Sequence, residues 1–362
     1  MLIKTKIIQE KCKLIAQAID TTNPVIKIEA KNNKLYLCVR GNEYYVKITT
    51  DIDSDEVFDY VVEAKLFLNL VSNIDDEYFE IKQEQNNIKI LTNNGKYKLP
   101  IVYENDNNIE INEIKLDNVT VNFTFPADAL HSINKVNSKE IQKYKQAISN
   151  PIQRLYYITN TGCFTFTSGS CLNEFDLPKP VEFLASEKLV KLFMLFNSDP
   201  EFELGYDVIK NYTEAKVILK TDSVYLGYII DNDDSLLNKI KGPYLATKKY
   251  INENYLINAV ISVDSLISTL NRFCIFNNIE DSINIQVSKN NFIVIDCAEN
   301  SEKIQIENSS KIQVDYDLKL KLKDIKFAID NREGGYITLN CGNNRSVVIN
   351  KGKIYNIIPE RY

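Results

Sequence analysis

The side chains that most often carry catalysis are sparse in this chain. Its 362 residues include a single histidine, His131. That removes two-histidine metal sites and the HExxH arrangement, since each needs a second imidazole. His131 falls at the polar-to-apolar edge of a helical pattern, a place for a satisfied or surface histidine rather than a general base. In Thr167-Ser168-Gly169-Ser170 no histidine or lysine is placed to activate Ser170, so the run reads as a turn. The acidic pairs Asp75-Asp76 and Asp233-Asp234 lie in turn-like segments without the ligand spacing of a calcium loop. Phosphate-cradling GxxxxGKS/T and GxGxxG runs are absent, as is the GxSxG nucleophile elbow. The seven cysteines form no CxxC pair. Cys12, Cys163, Cys171 and Cys274, set among apolar or small residues, are expected to be reduced core thiols. The expectation is a chain with no catalytic residue, no metal and no cofactor.

Composition narrows the alternatives. Apolar residues make up 44% and charged residues 25%, enough to bury sizeable cores. There is no uninterrupted apolar run long enough for a membrane helix, and the opening MLIKTKIIQEK is charged too early for a signal peptide. A cytoplasmic location is therefore expected. The balance of 43 basic against 49 acidic residues gives −6. A tight DNA binder is usually basic, so nucleic acid is either not the ligand or meets basic residues gathered on one surface.

The elements that would position such residues are mostly strands. KIEAKNNKLYLCVRG (27–41) reads as a hairpin turning at Lys31-Asn32-Asn33-Lys34. Residues 78–102 give three short strands, with Asn94-Gly95 as a hairpin signal. Alternation recurs at 201–204, 215–220, 224–230, 283–297 and 334–340. Helical spacing appears at Ile8/Cys12/Ile15/Ile19, Leu66/Phe67/Leu70/Val71 and Leu130/Ile133/Val136. It appears again at Leu189/Val190/Phe193/Phe196, Leu266/Leu270/Phe273/Cys274 and Leu322/Ile325/Ile329. First-type helices begin near 7, 127 and 263, and second-type helices near 64, 186 and 321. A short turn, a strand, a hairpin and a strand follow each second helix. The pattern predicts one α+β module used three times, over 1–115, 116–245 and 246–362.

Opposite the apolar stripes lie Lys13 and Gln17, Lys65, Lys135 and Lys139, Lys191, Arg272 and Lys323. Solvated helix faces carry lysine routinely, which accounts for any one of these. A basic residue on all six helices of an acidic chain points instead to a shared basic surface.

Several phrases, in order along the whole chain, resemble the bacterial-type DNA sliding clamp, the β subunit of the replicative polymerase. EAKLFLNLVSNIDDEYFEIKQEQNNIKILTNNGKYKLPIV (63–102) is similar to the end of its first domain. FTFTSGSCL (164–172) resembles its ATDGHRL segment and KIKGPY (239–244) its GxFPDY segment. YNIIPERY resembles its terminal MPMRL. The departures are the family's Asp, His and Arg, which become Ser168, Ser170 and Cys171, the missing Phe and Asp of GxFPDY, and Tyr362 for the terminal Leu. Low glycine content, asparagine and isoleucine bias and this divergence suggest a phage-encoded or otherwise unusual member.

The resemblance implies a head-to-tail homodimer closing six modules into a ring, with sheets outside and helices lining the hole. The helix lysines and arginine would then meet duplex DNA without reading its sequence. It implies no catalysis, and tethering of a DNA polymerase as a processivity factor. Polymerase and clamp loader would each insert a short apolar peptide into a pocket. Carried over by position, that pocket would include Thr167, Gly169, Leu172, Pro243, Ser346, Val347, Ile358, Pro359 and Arg361, with Ile152 in a looser match. For Leu172, Ile152, Val347 and Ile358, plain core packing is the competing reading. Two other classes compete with the clamp: a β-rich modular structural or attachment protein of a phage without DNA binding, and an enzyme with a divergent site.

Overall fold

The computed structural model describes residues 1–362 except 21, 23, 85, 105–106, 109–110, 137–148, 168, 210–211, 232, 289–291, 298, 308–309, 330–333, 343–345 and 360–362. The fold is α+β, and among the described residues every strand ladder is antiparallel. The described helices are α1 (Thr5–Ala16), α2 (Ala64–Ser72), α3 (Ala127–Lys135), α4 (Glu187–Leu192), α5 (Asp234–Ile251), α6 (Val263–Phe276) and α7 (Leu322–Ile329). Six of them start within two residues of the positions expected from apolar spacing. The chain divides into two compact units, each drawn from two stretches of sequence: residues 1–130 with 191–231, and 131–190 with 232–362.

In the first unit an eight-stranded sheet runs in the order Val119–Thr124, Glu201–Ile209, Tyr212–Lys220, Val224–Ile230, Tyr44–Asp51, Lys34–Arg40, Val25–Lys31, Phe58–Glu63. Its seam joins distant sequence, from Val224 opposite Ile48 to Tyr228 opposite Tyr44. The hairpin at Asn32-Asn33 has both residues at positive φ, 53° and 58°, the conformation a two-residue turn needs and asparagine tolerates. A second sheet holds Leu2–Lys4, Tyr78–Glu84, Asn87–Leu91 and Lys96–Pro100 in that order.

Segment 111–118 straps one face of the large sheet. Ile111 and Ile114 pack with Val25, Cys38, Tyr45, Val61 and Ile218. Tyr225 Oη donates to the Ile114 carbonyl at 2.6 Å and Lys47 Nζ meets Glu113 at 2.7 Å. The Asp117 N–H donates to Asp207 Oδ1 at 3.0 Å. Two glycines make room for the strap. A Cβ at Gly227 would sit 2.8 Å from Ile114, and one at Gly205 only 1.9 Å from the Asn118 carbonyl oxygen.

The second unit holds a nine-stranded sheet. Its order is Glu182–Ala185, Tyr156–Thr159, Gly162–Phe166, Ser170–Glu174, Ile354–Pro359, Ser346–Lys351, Tyr336–Cys341, Ile257–Ser262, Lys311–Ile312. A four-stranded sheet runs Asn300–Gln305, Phe292–Cys297, Ser282–Ser288, Tyr316–Lys321. The stripes of α6 and α7, among them Leu266, Leu270, Phe273, Leu322, Ile325 and Ile329, share one core with both sheets. Each fully buried side chain of this size contributes about 1.5–3 kcal/mol.

Two elements differ from the sequence expectation. In α2 the buried stripe is Ala64, Phe67 and Val71, while Leu66 is exposed. The helix begins at Ala64, and spacing from there turns Leu66 outward. Helix α5 has no counterpart in the apolar-spacing reading, because Gly242-Pro243 in its middle reads as a breaker.

Candidate functional site

Each helix in question buries its stripe and leaves its basic residue on another face. In α1, Thr5, Ile8, Cys12 and Ile15 are buried and Lys13 is exposed. Gln9 fixes α1 to α2 by donating to the Val71 and Ile74 carbonyls, both at 3.0 Å, groups left open at a helix end. Lys65 on α2, Lys135 on α3 and Lys191 on α4 are also exposed. Lys139 lies outside the described residues.

The two basic residues of the C-terminal helices are not free charges. The Arg272 guanidinium grips Glu302 with two hydrogen bonds of 2.7 and 2.6 Å, and this contact holds the Glu302 carboxyl below the usual carboxylate range. Lys323 meets Glu280 at 2.7 Å, with Lys321 on the other carboxylate oxygen at 3.1 Å, and both depress the Glu280 pKa. Lys6, which the sequence reading missed, is exposed on α1 two helical turns before Lys13 and shares its face. Its seven-residue spacing from Lys13 was the available signal.

The expected pocket residues converge on the nine-stranded sheet, but on both of its faces. Strand Ser170–Glu174 pairs with Ile354–Pro359, with Leu172 opposite Tyr355 and Ser170 opposite Ile357. The close approach depends on Gly169, where a Cβ would lie 2.5 Å from the Ile357 carbonyl oxygen. Beyond it, Pro359 faces Ser346 and Ile358 faces Val347. Since opposed residues share a face and successive ones alternate, Leu172, Tyr355, Ser346 and Pro359 lie on one side and Val347 and Ile358 on the other. Val347 and Ile358 are packed into the core with α6 and α7, at 0% and 2% exposure, so they offer no surface to a ligand. The side of α7 is marked by Asn356, whose Nδ2 donates to the Ala328 carbonyl at 3.0 Å. Thr167 is buried and Gly169 half-buried, and Gln153 Nε2 donates to the Thr167 carbonyl at 3.1 Å. Ile152 is half-buried in the short 3-10 turn Pro151–Arg154. Arg361 lies outside the described residues, as does Ser168.

The face carrying Leu172 is covered by α5. Asp233 caps this helix by accepting from the Ser235 N–H at 2.6 Å, and Lys248 and Lys249 sit in its last turn, where cations are favoured. Its buried positions Leu237, Ile240, Tyr244 and Thr247 form one stripe. The first three pack with Tyr157, Phe164, Leu172 and Leu184, while Ile152, Leu155, Phe166 and Leu236 border the cluster. The Tyr244 ring stands edge-on to Tyr157 and Phe164, at 5.2 and 5.7 Å between centroids. Burial alone would raise the Tyr244 phenol pKa. Hydrogen bonds to Thr159, Thr161 and Lys248 outweigh that and bring it below its ordinary value. Lys248 Nζ also donates to Thr161 at 2.9 Å, and Lys241 pairs with Glu182 at 2.7 Å. Pro243, half-buried, is inside the helix rather than in a loop. Among the described residues no group of His, Cys, Asp and Glu is arranged to hold a metal ion, and no helix is long and apolar enough to cross a membrane.

Solved structures align with the chain over its whole length. The β subunit from DNA polymerase of Streptococcus pyogenes matches with a TM-score of 0.77 at 13% identity, covering 99% of each chain. The DNA polymerase III β subunit of Thermotoga maritima matches at 0.75 and 15%, covering 100% of this chain and 98% of its own. This chain has the β-clamp fold. The Helicobacter pylori β clamp, solved bound to a DNA ligase peptide, matches at 0.74 and 14%, covering 100% and 99%. No family model matches the sequence, and no curated protein matches it either. The likeness to β clamps lies in the fold, with little of it left in residue identity.

Proposed function

We propose that this chain is a DNA sliding clamp. Two copies, each of three modules over 1–115, 116–245 and 246–362, close head to tail into a ring whose helices line the hole. The ring encircles duplex DNA and tethers a polymerase, raising its local concentration at the primer end without catalysing a reaction. The observation that carries this reading is the alignment of β-clamp folds over the entire chain, not over one module.

Two further features support it. Lys13, Lys65, Lys135 and Lys191 are exposed on helices, where they can meet phosphates loosely and without sequence preference. Two sheet edges would serve as closing surfaces. Lys96–Pro100 ends one four-stranded sheet and Asn300–Gln305 ends another, with no further strand beyond either among the described residues. At the end of α6, Ile275 and Phe276 are 74% and 70% exposed, an apolar pair that a second copy would cover. Peptides from the polymerase and loader would dock on the side of the nine-stranded sheet away from α6 and α7, around Ile152, Thr167, Gly169, Pro243, Ser346 and Pro359 and beside the covered Leu172.

The test joins mass and topology. In solution the protein should be a dimer of 41.7 kDa chains, and changing Ile275 and Phe276 to serine should give monomers. Loaded on nicked circular DNA it should be retained, and it should slide off once the circle is cut. A monomer that leaves circles as fast as linear DNA would overturn the proposal.

A further inference from the structure

If partner peptides dock beside Leu172, as proposed above, they meet a surface that is already occupied. Leu172 is 0% exposed and packs with Phe164, Tyr157 and Leu184 beneath Leu237, Ile240 and Tyr244 of α5. The resident helix supplies the same chemistry as a short apolar peptide: two aliphatic anchors and one aromatic ring on a single stripe. We propose that α5 is a built-in competitor, a lid that must lift before a partner peptide can reach the pocket.

The helix is built to be held closed and yet to yield. Its ends are ordinary: an aspartate cap at one, lysines at the other. Its middle is not. Gly242 is among the poorest helix formers, and Pro243 lacks the N–H that would bond back one turn and crowds the carbonyl there. Two such residues side by side inside an 18-residue helix leave it weak at its centre. The contacts that compensate are made to the sheet, not within the helix. Tyr244 and Lys248 bind Thr159 and Thr161, Lys241 binds Glu182, and the apolar stripe packs on the Leu172 face. When those contacts are exchanged for a peptide's, little intrinsic helix stability keeps α5 in place, and Gly242-Pro243 is the natural hinge. A Cβ at Gly242 would meet nothing within 4 Å, so packing does not require glycine there.

Binding of a labelled pentapeptide with leucine and phenylalanine anchors to the full-length protein, with hydrogen exchange followed on the same samples, tests the lid. Gly242→Ala stiffens the helix without touching the sheet, and should weaken peptide binding about fivefold by its helix propensity. Lys241→Ala with Lys248→Ala releases two anchors, and should tighten binding about two- to tenfold. In the wild type, peptide should lower the exchange protection of α5 amides while raising that of strand Ser170–Glu174. Peptide that binds while α5 stays fully protected, with an affinity indifferent to Gly242→Ala, overturns the lid and leaves the peptide site standing. Failure of the peptide to bind either the wild type or the released variant overturns both the lid and the assignment of the site.

Discussion

Replacing Lys13, Lys65 and Lys135 together by alanine should separate free charge from paired charge on the helices. All three are exposed, with no carboxylate within ion-pair distance among the described residues. Each phosphate contact contributes about 0.9 to the slope of log affinity against log salt on duplex DNA. The triple variant should therefore flatten that slope by up to about 2.7 per protomer. Arg272 and Lys323 make the contrast. Their charges are already engaged by Glu302 and Glu280 at 2.6 to 2.7 Å, so a phosphate must compete with a carboxylate. Removing both should change the slope by well under half as much as three free lysines do. Glu280→Gln, which frees Lys321 and Lys323, should instead steepen it. The assay is equilibrium binding of a short fluorescent duplex across a salt series, with dimer content checked in every sample. Equal flattening by the two sets of variants would refute the argument that ion pairing withholds charge. An unchanged slope in both would show that these helices do not face DNA.

Three other outcomes follow from the packing. Gly205→Ala should cost about 1–3 kcal/mol in a denaturant melt, since its Cβ would collide with the Asn118 carbonyl oxygen at 1.9 Å and force the strap off the sheet. Asp207 is largely buried; burial raises its pKa, but the hydrogen bonds from Lys216 and the Asp117 N–H outweigh this and leave it lowered. Its contribution is therefore present above the ordinary carboxylate range and is lost as pH falls through the lowered value. Asp207→Asn should accordingly lower the melting temperature at neutral pH and above, change it little at pH below the lowered pKa, and so flatten its acid dependence. Ile358→Ala should cost about 2–5 kcal/mol because that side chain lies in the core with Val347. A loss below 1 kcal/mol there would mean the strand's register had been misread.

Much of this architecture was legible because it is local. Apolar spacing located Thr5–Ala16, Val263–Phe276 and Leu322–Ile329, and the asparagine pair marked the turn between Val25–Lys31 and Lys34–Arg40. Facts that depend on distant partners were not legible. Arg272 looked like a free cation because Glu302, its neutralising partner, lies not on the same helix but on a strand thirty residues on. Val347 and Ile358 looked like pocket residues because the carry-over fixed their position along the chain but not their side of the sheet. Side alternates with every residue, so the registers with Ser346–Lys351 and Ser170–Glu174 decide it. Helix α5 was hidden by Gly242-Pro243, although Asp233 and the stripe Leu237, Ile240, Tyr244 were signals in plain sight.

The two large sheets impose an order of events on the growing polypeptide. Strand Ser170–Glu174 waits for Ile354–Pro359, and Tyr44–Asp51 waits for Val224–Ile230. Each therefore leaves the ribosome with an unsatisfied edge that its neighbours in sequence cannot fill. Closing such long loops is slow, and open strand edges invite pairing with other chains. Translation should thus pass through a stage in which Gly162–Phe166 and Ser170–Glu174 are paired with each other but exposed on one side. That stage is where a chaperone would find most to bind and where slowed synthesis would do most harm. Dissecting the gene at boundaries between successive thirds would create the same bare edges permanently, so fragments should aggregate unless expressed together and allowed to complement one another.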